Sequence, residues 1–212
     1  MTLIDQLSYF KSNSAMAEEY LNEKGISAAM RQEFEIGFCP QSCPSEVYAF
    51  HGRVIVPINN LSGDLVAFGG RCLDGSHPKW VNSSESDSYK KSRLLYNLDK
   101  SQDYILESGE ALVVEGYWDV IQLWSVGIRN VVASCGTAIT RHQIRLLKRF
   151  ADTVKIVYDG DSAGMAAAER AVEGLGDECI PIGHVSLPQG LDPDDFVKTY
   201  GREEFIKLIN GQ

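Results

Sequence analysis

The 212-residue sequence predicts an α/β protein in two parts. Residues 1–108 read as a mixed α+β subdomain, and residues 109–212 as a mostly parallel sheet with helices on both faces. The second part carries the stronger signal. The apolar runs ALVVE (111–115), NVVAS (130–134) and TVKIVY (153–158) are each followed by a stretch with helical spacing. Runs without polar alternation belong to strands buried on both sides, and alternation with helices supplies that cover through crossovers. The first part shows short helical stretches and then two β-prone runs around a turn.

Taken in order, residues 14–36 read as helical. Ser14 is a cap, Ala17, Tyr20 and Leu21 recur at helical spacing, and Gly25 ends the first helix. A second short helix over 28–34 leads into the loop GFCPQSCP. RVIVPI (53–58) and LVAFGGR (65–71) read as strands about a turn at 60–64, where Asn, Ser, Gly and Asp gather. Residues 78–92 read as loop and 96–108 as a linking helix. Further on, helices are expected around 118–125, after Thr140 and Gln143, which have capping-box spacing, and over AGMAAAERAVEGL. A last strand at about 180–187 leads through LDPDD into a terminal helix.

Composition narrows the function classes. The chain is 44% apolar and 23% charged, as expected of a globular protein. No apolar run approaches the ~20 residues of a membrane span, and the first residues lack a signal-peptide core, so a cytoplasmic location and no membrane partner are expected. Of five cysteines only Cys39 and Cys43 are close in sequence. A structural zinc site takes about four ligands, usually two close pairs. No zinc is therefore expected. The net charge of −9 argues against gripping nucleic acid by bulk attraction. Between His51 and Tyr96, however, Arg53, Arg71, Lys79, Lys90, Lys91 and Arg93 outnumber Asp64, Asp74, Glu85 and Asp87. Trp80, next to Lys79 in a polar stretch, is a candidate for stacking on a base.

Three acidic groups fall just after the strands. Glu115 closes ALVVE, with Gly116 next and Asp119 four residues on; Asp159 and Asp161 flank Gly160; Asp192 and Asp194 flank Pro193. In an open parallel sheet, sites form beyond the carboxyl ends of the strands, so these carboxylates are expected to converge. Crowded carboxylates repel unless a cation neutralises them or some are protonated. Oxygen ligands without a nearby Cys or His pair favour Mg²⁺ or Mn²⁺. Such ions would also carry triphosphates into an acidic site. Gly116, Gly160 and Gly164 would let backbone turn sharply or approach phosphate.

VVEGYWDV (113–120), ASCGTAIT (133–140), YDGDSAG (158–164) and LPQGLDPDDF (187–196) resemble the successive motifs of the TOPRIM domain in bacterial, DnaG-type DNA primases. Upstream, YLNEKGIS (20–27), GRVIVPI (52–58), FGGR (68–71), PKWVNS (78–83) and KKSRLLYNL (90–98) resemble the N-terminal subdomain of the same family. The likeness implies a primase RNA-polymerase core, with a basic subdomain over 1–108 and a TOPRIM catalytic domain over 109–212. It implies that Glu115, Asp159 and Asp161, with Asp192 and Asp194, bind two or more metal ions, and that Asp119 joins Glu115, Asp159 and Asp161 as a catalytic residue of the same site. Arg71, Lys79 and Lys91 match basic residues along the template and nucleotide groove, and Gly136, Thr137 and Thr140 match a loop beside the metals.

The partners implied are single-stranded DNA template, ribonucleoside triphosphates and a replicative helicase, whose docking region is not expected here. Without a zinc ribbon or a helical tail, the sequence reads as an excised core or a naturally minimal member. Ser92 stands where the family usually has Gly, and Trp118 where it often has Met. Two other readings stay open: a TOPRIM nuclease or topoisomerase fragment, and a catalytically silent relative that only binds single-stranded DNA or a helicase.

Overall fold

A computed structural model describes residues 1–75, 77–134, 136 and 138–211. The chain gathers into two compact units, Met1–Tyr89 and Lys90–Gln212. Residues 90–98, grouped from sequence with the first part, therefore fold with the second, as does the linking helix that follows them.

The first unit opens with helix α1 (Leu3–Ser12), to which the sequence reading assigned no element. A capping box starts it: Asp5 N–H donates to Thr2 Oγ1, and Thr2 N–H donates to Asp5 Oδ2. Such a cap contributes about 1 kcal/mol. Leu7 and Phe10 then face inward at helical spacing. Helices α2 (Glu18–Glu23) and α3 (Ala28–Glu33) follow, the latter capped by Ser27 Oγ.

An antiparallel sheet of four strands comes next, in the order β1 (Gly37–Cys39), β2 (Arg53–Asn59), β3 (Leu65–Cys72), β4 (Trp80–Asn82). The two long strands and their turn lie where the sequence places them. Asp64 N–H donates to Asn60 Oδ1, and Gly63 has φ +86°, a region that favours glycine. β1 and β4 fall in stretches whose sequence predicts loop, and they are strands through their pairing with β2 and β3. Pro57 sits beyond Ile55, the last residue of β2 paired with β1, where a missing N–H interrupts no ladder on that side. The core of this unit is Leu7, Phe10, Cys39, Val47, Phe50, Ile55 and Phe68, with the rings of Phe10 and Phe68 edge-to-face at 5.1 Å.

The second unit carries helix α4 (Leu98–Ser108), entered through Asn97 at φ +69°. Asn97 Nδ2 donates to Val131 O, and Gly109 at φ +69° ends the helix. Four parallel strands follow, β5 (Glu110–Val114), β6 (Val131–Ala133), β7 (Thr153–Ile156) and β8 (Ile182–His184), in the spatial order β6-β5-β7-β8. Ala111, Leu112, Val113 and Val114 are all fully buried, which requires cover on both faces. Helices α5 (Tyr117–Ser125), α6 (Arg141–Leu147), α7 (Ser162–Leu175) and α8 (Pro193–Ile209) supply the crossovers and the terminus. β8 is shorter than the expected 180–187, a span that Pro181 interrupts. α8 is kinked at Gly201, whose φ is +84°.

Candidate active site

The strand order sets the position of the site. After β5 the chain adds β6 on one side, then crosses back to add β7 on the other. The crevice of such a sheet opens at this reversal, beyond the carboxyl ends of β5 and β7. Glu115 follows β5 directly, and Asp159 stands three residues beyond β7. Asp159 N–H donates to Glu115 Oε1 at 3.4 Å, joining the two strand ends.

The remaining carboxylates are brought in by helix starts. Asp161 caps α7, its Oδ1 accepting from Gly164 N–H at 2.7 Å. Asp192 caps α8 in the same way, accepting from Asp195 N–H at 2.6 Å. Asp119, in the first turn of α5, is buried and its Oδ2 accepts from Gly116 N–H at 2.9 Å. Two glycines allow the close approach. A Cβ on Gly160 would run into the carbonyl of Pro188, and one on Gly164 into the carbonyl of Asp159. Gly160 N–H also donates to Leu191 O at 2.8 Å, so the 187–191 loop is tied to the Asp159–Asp161 turn.

Electrostatics follow from this crowding. Burial, then Glu115, Asp192 and Asp161, push the Asp159 carboxyl up to about 7. Burial raises Glu115, with Asp161 adding to it, while the Asp159 N–H opposes. Burial, with Asp192 and Asp159 next, holds Asp119 well above the usual carboxylate range. Asp194 is raised by burial and partly offset by Lys198, whose Nζ lies 2.5 Å from its Oδ1. One carboxylate was missed from sequence. Among the described residues, Asp192, Asp194 and Asp195 place ligand oxygens within 4.8 Å of one another, and Asp195 also acts on Asp159. Its signal was only a third aspartate in DPDD. The donor set, carboxylate oxygens that disfavour their own ionised state, fits a hard divalent cation.

The basic and loop residues divide differently. Arg53, expected from sequence to contact nucleic acid with Arg71, Lys79 and Lys91, is only 9% exposed, and its Nη1 faces the carbonyls of Gly70, Pro78 and Lys79 at 3.0–3.4 Å. From the interior it holds the backbone beside Lys79. Arg71 and Trp80 are register partners on β3 and β4, with the guanidinium 5.8 Å from the ring centroid. Lys79 is exposed, and Trp80 and Lys91 are half-buried.

In the second unit, Gln143 is fully buried and its Nε2 donates to the carbonyls of Lys91 and Leu94, while Thr140 Oγ1 donates to Ser92 O. The hydroxyl of Thr140 thus caps α6 and pins the segment after Lys90. Gly136 is exposed with φ +84°. Thr137 and Cys135 lie outside the described residues.

Comparison with known proteins agrees with this geometry. A Toprim-like family matches residues 112–197, and the N-terminal domain of the DNA primase catalytic core matches residues 43–102. The DNA primase of Aquifex aeolicus is 38% identical over 221 residues, covering 92% of this chain and 44% of that protein. The chain spans less than half the length of such curated relatives. A DNA primase domain from Pseudomonas aeruginosa superposes with a TM-score of 0.90 at 30% identity, over 99% of this chain and 77% of that one. A DnaG primase catalytic domain solved bound to single-stranded DNA gives 0.86 at 31% identity, over 99% and 77%.

Proposed function

The chain belongs to the bacterial DnaG-type DNA primases, as their catalytic core, and from that premise we propose that it synthesises short RNA primers on single-stranded DNA. The convergence of Glu115, Asp119, Asp159, Asp161, Asp192 and Asp194 beyond one end of the parallel sheet carries the reading. Glu115, Asp159 and Asp161, with Asp192 and Asp194, would hold Mg²⁺ or Mn²⁺, two or more ions in all, and Asp195 adds its carboxylate beside Asp192 and Asp194. When bound, the cations supply charge neutralisation for the incoming triphosphate and for the departing pyrophosphate.

The chain's own side chains bind and orient. Lys79 and Lys91 offer ammonium groups to phosphate oxygens, and Arg71 is held against Trp80 by its cation–π contact. Trp80 offers a face for stacking on a base. The buried Asp119 keeps α5 in place through its bond from Gly116 N–H, and its burial beside Asp159 and Asp192 favours its neutral form until a cation is bound. Nucleotide transfer then needs alignment of the primer 3′-hydroxyl with the α-phosphorus rather than covalent help from the protein.

The match of residues 43–102 to a primase N-terminal domain favours this over a TOPRIM nuclease or topoisomerase. Incubating the chain with single-stranded template, labelled ribonucleotides and Mg²⁺ or Mn²⁺ tests it. Short RNA products that depend on template and metal are expected; template cleavage without RNA synthesis would favour the nuclease.

A further inference from the structure

Away from the carboxylates, α6 and the residues after it carry a second charged feature. Residues 136–151 contain four cations, Arg141, Arg145, Lys148 and Arg149, and no Asp or Glu, in a chain of net charge −9. All four are exposed, while Gln143, Ile144 and Leu147 turn inward and are fully buried. One residue, Glu178, organises three of them. Glu178, only 7% exposed, accepts from Arg145 Nε at 2.7 Å and Nη2 at 3.0 Å and from Arg141 Nη1 at 3.4 Å. Lys148 Nζ donates to the backbone carbonyl of Glu178 at 3.2 Å.

A solvated helix face holds its cations loosely, one rotamer among many. Here three of them share a single buried anchor, so much of the ordering cost of binding an anion is met within the fold. Each guanidinium has five N–H donors, more than these contacts use. A recess of about 250 Å³ adjoins, lined by Arg141 and, from α7, Arg170, over a floor that includes Ile139, Ala171 and Leu175. The Arg170 side chain makes no ion pair or hydrogen bond among the described residues. At 1.5 Å per residue the cations from Arg141 to Lys148 extend over ~10 Å, a distance that takes in several phosphates of a strand at ~3.4 Å each.

We propose that this face of α6, with the Arg141–Arg170 recess, is a further nucleic-acid contact that holds phosphodiester backbone outside the carboxylate cluster. A nucleic acid suits it better than an acidic protein. Protein interfaces centre on apolar anchors, and α6 exposes no large apolar side chain. Whether the strand is template or the RNA–DNA hybrid rests on the primase reading above, and the two are separated by substrate.

The whole chain is titrated with labelled single-stranded DNA and with an RNA–DNA hybrid over a salt series. Wild type is compared with Lys148→Ala/Arg149→Ala, the pair that directly follows Leu147 (the α6 pair), with Arg170→Ala, and with Arg202→Ala/Lys207→Ala, a control pair of equal charge loss on α8. The α6 pair should lower the slope of log affinity against log salt by about 1.4 on single strands, or about 1.8 on duplex, and the control pair should leave it unchanged. Arg170→Ala should lower it by about 0.7 on single strands. If the α6 and control pairs coincide on both substrates, the surface is not a nucleic-acid contact, whatever acidic protein it binds. If only Arg170→Ala is silent, the recess drops out. Primer synthesis by the same preparations keeps the two readings apart. A wild type that makes no primer, yet loses binding through the α6 pair, would refute the polymerase and leave this surface standing.

Discussion

The N–H of Asp159 points at Oε1 of Glu115 from 3.4 Å, so the ends of two adjacent parallel strands are joined through a carboxylate. That bond favours the ionised form of Glu115, whereas burial and the neighbouring aspartates oppose ionisation of Asp159. Without a cation, the folded chain therefore holds a proton on Asp159 that the unfolded chain releases. Its pKa rises from 3.8 to about 7 on folding, so its favourable contribution is complete below about 4 and is lost as pH climbs through about 7. In chelator-containing buffer Asp159→Asn should thus gain stability relative to wild type as pH goes from 4 to 7.5. A melting-temperature gap that stays constant across this range would rule out the coupling.

Metal should reverse the comparison. Millimolar Mg²⁺ or Mn²⁺ binds the folded chain and raises its melting temperature through linkage. Asp159→Asn and Asp161→Asn should lose most of that gain, although Asn at 161 still caps α7. Equal stabilisation of wild type and both variants would show that these aspartates are not ligands.

Glu115→Gln keeps the side-chain volume and an oxygen for the Asp159 N–H while removing one negative charge. Primer synthesis at saturating template should fall by at least about 100-fold, the upper end of the cost of losing a partner one shell further out. The melting temperature without metal should not fall. Full activity under limiting metal would remove Glu115 from the site.

How far the sequence foretold this arrangement depends on the range of the forces involved. β2, β3 and their turn were legible because short apolar β-prone runs and turn chemistry are local. β5, β6 and β7 were legible because continuous apolar runs state their burial. β1 and β4, at three residues each, exist through pairing with β2 and β3, and no local pattern marks them. α1 carries a local signal as well, Thr2 and Asp5 at capping spacing before Leu7 and Phe10. The acidic positions were legible at strand ends, but Asp195 and the Lys198 pairing with Asp194 required the helix start in three dimensions. Arg53 looked like any surface cation, since the carbonyls of Pro78 and Lys79 lie 25 and 26 residues away.

Gly160 offers a test of the close approach that gathers the cluster. A methyl group there would meet the carbonyls of Pro188 and Leu187, displacing the loop that leads to Asp192. Gly160→Ala should cost about 1–3 kcal/mol of stability, as overpacking does, and should weaken metal binding along with it. Unchanged metal affinity in a destabilised variant would mean that Asp192 and Asp194 contribute little to holding the ion.

For template, Lys79→Ala and Lys91→Ala should each weaken single-stranded DNA binding and lower the salt slope by about 0.7. Both should also raise the KM for ribonucleotides if the ammonium groups meet phosphate. Arg202→Ala, with the same loss of charge on an exposed part of α8, should do neither. Equal weakening by all three variants would reduce the effect to net charge.

Arg53 should behave oppositely to Lys79 although both are cations in the same segment. Its guanidinium lies among three backbone carbonyls, and hydrogen bonds to a charged group are worth about 1.5–3 kcal/mol. Arg53→Ala removes the guanidinium from these carbonyls, of which that of Lys79 keeps the Cys72 N–H, and should lower unfolding free energy by about 2–3 kcal/mol. Arg53→Lys retains the charge but not the planar fork, so it should recover only part of the loss. Because the group is buried, neither variant releases a bound phosphate, and the salt slope for single-stranded DNA should match wild type at temperatures where the fold is intact. Any affinity change should come with altered protection of the Lys79 and Trp80 amides in hydrogen exchange. A slope reduced by about 0.7 with no loss of stability would make Arg53 a direct phosphate contact after all.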